Sequence, residues 1–118
     1  MPVVLLKRNP KTVDDETISK IRNDLRTVVA IALNVSGDEH CELTPADVDV
    51  EIQDDHPLDH NERDFGIIVV ANAHPRRMMD LTERAEFIRD AIKNMLGDTN
   101  TLRGYVYITP NPGAHARI

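Results

Sequence analysis

Two stretches constrain this chain more than any others. VVLL (residues 3–6) and GIIVV (residues 66–70) are apolar at consecutive positions, so a strand formed by either one needs both of its faces covered. Each run is followed by the same succession of signals. After the first come turn and helix-start residues in NPKTVDDE, then a helical stripe of Ile18, Ile21, Leu25, Val28, Ala32 and Leu33. A strand follows in which Val48, Val50 and Ile52 alternate with Asp49, Glu51 and Gln53. After the second run come a turn in HPRRMMDLTE, a stripe of Leu81, Ala85, Ile88, Ile92 and Met95, and a closing strand YVYI. Thr12 with Asp15 predicts the cap of the first helix, and Gly37 predicts its end at a left-handed position.

The repetition extends to single residues. Pro10, Asp15 and Thr17 match Pro75, Asp80 and Thr82 at one offset, while Asn34, Gly37 and Asp38 match Asn94, Gly97 and Asp98 at a slightly smaller one. The expectation is an α+β fold in one domain, residues 1–118, made of two β-α-β halves (2–53 and 65–110). A polar connector, 54–64, joins them. The strands would form a four-stranded mixed sheet with two helices on one face. Two helices leave the other face of the sheet bare, so the doubly apolar strands predict a closed homo-oligomer packed sheet against sheet.

Several function classes fall away on composition. A formal charge of −6 and only four aromatic residues argue against a nucleic-acid partner, which would need a concentrated basic face or a stacking platform. No apolar run approaches a membrane span, and VVLL is too short for the core of a signal peptide, so a cytoplasmic protein without membrane association is expected. No cofactor is expected. His56 and His60 stand among acidic residues of the connector, but Pro57 between them spoils a helix that could align them, and a solvated acidic loop rather than a metal site is the reading. Cys41, beside His40, reads as an inert thiol. Met78, Met79 and Met95 read as core filler, and Lys7 and Arg8 as solvated charges.

What remains is Pro2, which stands directly behind the initiator methionine and opens onto a strand. This start, the doubled β-α-β plan, the strand-to-helix turn with Arg76 and Arg77, and the closing Val106-Tyr107-Ile108 resemble the tautomerase superfamily. That superfamily includes 4-oxalocrotonate tautomerase, 5-carboxymethyl-2-hydroxymuconate isomerase and macrophage migration inhibitory factor. The resemblance implies a homotrimer in which the methionine is removed and the freed proline nitrogen acts as catalytic base. It also implies that an arginine of the turn, Arg76 or Arg77, binds a substrate carboxylate, and that Tyr107 lines the site of a neighbouring subunit.

The chemistry is coherent on its own terms. An α-amino group titrates near about 8, and burial beside guanidinium groups lowers that value towards neutrality, where a general base is most effective. If the halves are related by a twofold with the first and third strands antiparallel, Pro2 faces the HPRR turn and comes near His74, Arg76 and Arg77. Arginine offers a planar fork to a carboxylate or an enolate oxygen. No Asp or Glu follows Asp98, which removes the base that a hydrolytic dehalogenation would need. A keto-enol isomerase acting on a small 2-oxo or 2-hydroxydienoate acid is therefore the expectation, with decarboxylation of a 3-oxo acid behind it. The rival architecture is the ferredoxin-like fold, or a catalytically silent scaffold of either kind, serving as a small-ligand binding protein. The two folds differ in whether strands 1 and 2 run parallel and adjacent.

Overall fold

The computed structural model describes residues 2–38 and 42–111, so Met1, His40 and Cys41 lie outside the described residues. The chain forms β1 (Val3–Arg8), α1 (Asp15–Leu33), a 3₁₀ turn (Pro45–Asp47), β2 (Asp49–Asp54), β3 (Phe65–Asn72), α2 (Pro75–Met79), α3 (Leu81–Leu96) and β4 (Gly104–Asn111). The sheet order is β2-β1-β3-β4. β1 runs parallel to β2, β3 runs parallel to β4, and the central pair β1 and β3 is antiparallel, Val3 facing Val70 and Arg8 facing Phe65. Strands 1 and 2 are thus parallel neighbours, which excludes the ferredoxin-like arrangement.

Alternation along the central strands sorts their side chains. Val4 and Leu6 of β1, with Phe65, Ile67, Val69 and Ala71 of β3, are buried beneath the helices. Ile18, Ile21, Leu25, Val29 and Leu33 of α1 and Ile88 and Ile92 of α3 close on them from above. Val3, Leu5, Ile68, Val70, Tyr105 and Tyr107 point to the other face. No described element covers that face: Val3 is exposed, Leu5, Ile68 and Val70 are half-buried, and Tyr107 is 61% exposed. No helix among the described residues is long and apolar enough to cross a membrane.

Local chemistry sets the element ends, in places differently from the expectation. The cap of α1 is Asp14, whose side chain accepts from the Thr17 N–H at 2.8 Å, while the Thr12 hydroxyl turns back to the Asn9 carbonyl. Asp15 and Glu16 then add negative charge to the first turn, where the helix dipole favours it. The helix ends at Leu33 with Asn34 as its cap, earlier than Gly37 suggested. The left-handed φ of +86° at Gly37 belongs to the turn beyond. The HPRRMMDLTE segment is more than a turn: Pro75 fits the first position of a helix and residues 75–79 coil into α2. Met78 and Met79 are exposed rather than core, the buried position of α2 being taken by Arg77; Met95 packs partly buried against the core.

Arg8 is not a solvated charge. Its guanidinium grips both oxygens of Asp54 at 2.7 and 2.8 Å and reaches Asp15 of α1, tying two strands to the helix start. The Asp54 carboxyl is consequently held below its ordinary value, first by the hydrogen bond from Arg8, and Asp14 likewise by its bond from Thr17. A depressed carboxylate contributes stability that is complete above its unfolded value of 3.8 and fades as pH falls through the lower folded value. Urea midpoints should therefore fall as the pH drops below about 4, and Asp54→Asn should flatten part of that fall. Leu25→Ala, which empties a fully buried site, should cost about 2–5 kcal/mol in the same measurement.

Candidate functional site

Pro2 is buried at the end of the sheet where β1 and β2 begin and β3 and β4 finish. Its carbonyl accepts the Asp49 N–H at 3.1 Å, which extends the β1–β2 ladder by one step and fixes its position. The antiparallel register carries Pro2 past Val70, to the level of Ala71 on β3. After Asn72 that strand runs directly into the turn bearing His74, Arg76 and Arg77. The Ala73 N–H bonds the Asn111 carbonyl at 3.0 Å, so the turn is anchored to β4 as well.

Each polar residue of the turn has a defined engagement. His74 caps α2: its Nδ1 accepts the Arg76 N–H at 3.2 Å, so the ring proton belongs on Nε2, which faces Asp38 Oδ2 at 3.1 Å. Arg76 is exposed and donates one guanidinium nitrogen to the Ser36 carbonyl at 2.6 Å. Arg77 is only 4% exposed, and it donates from Nε to the Leu33 carbonyl at 2.8 Å and from Nη1 to the Asn72 carbonyl at 3.1 Å. The two arginines therefore differ in kind. Arg77 bonds main-chain oxygens from within the protein, whereas Arg76 keeps a face towards solvent.

Arg84, which the sequence reading passed over, completes this arrangement. It is held by Asp80 at 2.6 Å and donates to the carbonyls of Ala32 and Asn34 at 2.8 and 3.2 Å. The last turn of α1 has no basic residue of its own. Its carbonyl oxygens, negative by the helix dipole and without partners inside the helix, are satisfied by Arg77 and Arg84 from the second β-α-β unit. The only trace of this role in the sequence is the four-residue spacing of Asp80 and Arg84.

Tyr107 lies elsewhere. It pairs with Ile68 on β4, three residues along and two strands across from the level of Pro2, a separation of roughly 14 Å by strand geometry. Pro2, His74, Arg76 and Arg77 share one end of one chain; Tyr107 joins them only if a second copy supplies it. Among the described residues no group of three or more His, Cys, Asp or Glu is arranged to hold a metal ion. His56 instead accepts the Leu58 N–H at 3.0 Å and is capped by Asp59 in a surface turn.

The guanidinium caps lead to a direct expectation. Arg77→Ala removes the guanidinium donor from the buried Leu33 carbonyl and from the Asn72 carbonyl at the strand end, and should destabilise the protein by about 1–3 kcal/mol in urea unfolding. Arg77→Lys should recover only part of that loss, since a single ammonium does not reproduce the planar fork.

No family model and no curated protein sequence matches the chain. Solved structures do. A macrophage migration inhibitory factor-like protein from Entamoeba histolytica superposes with a TM-score of 0.60 at 11% identity, over 95% of this chain and 90% of that one. MIF2 of Leishmania major gives 0.57 at 11% identity, over 98% and 93%. A domain of unknown function from Sebaldella termitidis gives 0.55 at 10% identity, over 94% and 89%. Strand order, the antiparallel central pair and helices confined to one face thus identify this chain as having the fold of these macrophage migration inhibitory factor-like proteins.

Proposed function

We propose that the protein is a keto-enol isomerase acting on a small 2-oxo or 2-hydroxydienoate carboxylic acid, with the nitrogen of Pro2 as general base after removal of Met1. The observation that carries the reading is the burial of Pro2 at the one sheet end where β3 delivers the arginine turn, within a fold of the tautomerase type. A secondary amine placed there is partly desolvated and lies on the same side of the molecule as two guanidinium groups. Both influences favour its neutral, basic form near neutral pH.

In this mechanism the Pro2 nitrogen removes a proton from a carbon beside the carbonyl, or from the enol oxygen, and returns it at the other position. Arg76 binds the carboxylate, since its exposed guanidinium still has donors to offer after bonding Ser36. Arg77 acts as a positioning residue: by holding the end of β3 against the end of α1 it keeps the turn in place. His74, tied to Asp38 and to the Arg76 N–H, orients the same turn. Tyr107 would reach the site from a neighbouring subunit of a homotrimer, and the bare apolar face of Val3, Leu5, Ile68 and Val70 gives such an assembly its driving force.

The intact mass of the purified protein should lack one methionine, because an amide nitrogen at Pro2 cannot act as a base. Ketonisation of phenylenolpyruvate, followed by absorbance, should fall by about 10²–10⁴-fold in Pro2→Ala. Arg76→Ala should act mainly by raising KM. Unchanged turnover in Pro2→Ala would remove the reading. For the assembly, sedimentation should give three copies for the native chain and smaller species for Ile68→Lys, which sets a charge in the apolar face.

A further inference from the structure

The two β-α-β units are closed differently. Between α1 and β2 the chain takes residues 34–48, and the described part of that segment folds back over the core. Leu43 packs against the buried cluster, the Thr44–Asp47 capping box ties the 3₁₀ turn, Val48 is buried, and its carbonyl accepts from Arg26 at 3.3 Å. Between α3 and β4 the connector is only residues 97–103. The place corresponding to that cover is instead a cavity of about 580 Å³ between α3 and the beginnings of β3 and β4, within the range of small-ligand sites.

Its walls are of two kinds. Phe65, Ile67 and Ile92, all buried core residues, form the base with half-buried Leu102 and Val106. At Phe65 the ring lies so close over Gly104 that a Cβ there would sit 2.5 Å from it. Around this base stand Arg63, Arg89, Lys93 and Arg103, with Glu62 the one acidic residue of the lining. Asp90 pairs with Arg89 at 2.9 Å, and the Asp64 carboxylate takes the Arg103 main-chain N–H at 2.7 Å. Among the described residues Arg63, Lys93 and Arg103 have no carboxylate partner for their side chains. On a chain of net charge −6 this is a local cationic rim around an apolar pit. The cleft lies at the Phe65 end of β3, opposite to the end reached by Pro2.

We propose that this cleft is a binding site for a small amphipathic monocarboxylate. The hydrocarbon part lies over Phe65, Ile92 and Leu102, gaining its free energy from apolar burial. The carboxylate is held at the mouth by Lys93, Arg103 and Arg63, whose long side chains reach it without leaving water. Binding is non-covalent and independent of the reaction proposed at Pro2.

Octanoate is a suitable probe, titrated into the full-length 15N-labelled protein with two-dimensional amide spectra as readout. Saturable shifts are expected in 63–67, 89–96 and 100–106, with octylammonium binding at least about tenfold more weakly than octanoate. Lys93→Glu with Arg103→Glu should weaken octanoate by about tenfold or more, in a protein whose spectrum shows it folded. Val106→Trp, which fills the pit and leaves the cations, should abolish binding by a separate route. Pro2→Ala should bind octanoate as the native chain does, so failure at the catalytic site and failure here remain distinguishable. Absence of saturable shifts, equal binding of octylammonium, unaltered affinity in the charge-reversed variant, or shifts confined to 2–4 and 72–77 would each overturn the proposal.

Discussion

The antiparallel pairing of β1 with β3 is the contact on which the rest is built. It joins the two β-α-β units through their most apolar strands, and places Val4 and Leu6 against Val69 and Ile67 in one buried layer. Because the pairing is antiparallel, the beginning of each central strand meets the end of the other. Pro2 therefore approaches the turn after β3, and Phe65 approaches Arg8 and the turn after β1. A parallel pairing of the same strands would have set both beginnings side by side and brought Pro2 to Phe65 instead.

At the Pro2 end, helix electrostatics decides which side chains are used for what. The carbonyls closing α1 need donors that α1 does not contain, and Arg77 and Arg84 supply them from across the molecule. A buried guanidinium is tolerated there because its Nε meets the Leu33 carbonyl at the negative end of the helix dipole and its Nη1 meets the Asn72 carbonyl at the end of β3. Arg76, one residue earlier on a short helix, points away from that demand and bonds only at the surface turn. Two adjacent residues of the same type thus have different physical roles, one set by burial and the other by exposure.

At the Phe65 end the difference between the units is one of chain length. The long segment before β2 has enough residues to lay Leu43, the 3₁₀ turn and Val48 over its part of the core. The short connector before β4 spans the gap and covers less, so core side chains such as Ile92 border a cavity rather than other side chains. An architecture repeated in outline therefore carries two chemically unlike ends.

The residues themselves determined the order of the four strands and the two long helices, and which face of each is buried. Strands apolar at every position need cover on both faces, and the stripes through Leu25 and Ile88 have a helical period, whatever the partners. The cap is Asp14 rather than the expected Thr12 with Asp15, because all three are competent acceptors and only the path of the chain from Asn9 chooses among them. The fates of Arg8, Arg76 and Arg77 were not legible, and that of Arg84 only in its four-residue spacing from Asp80. A guanidinium's role depends on which oxygen lies within about 3 Å of it, and those oxygens belong to residues 4 to 52 positions away in the chain. Sequence periodicity sets which side of an element is apolar, but the tertiary fold alone brings distant polar groups within hydrogen-bonding range, and it alone leaves one connector too short to fill the space beneath it.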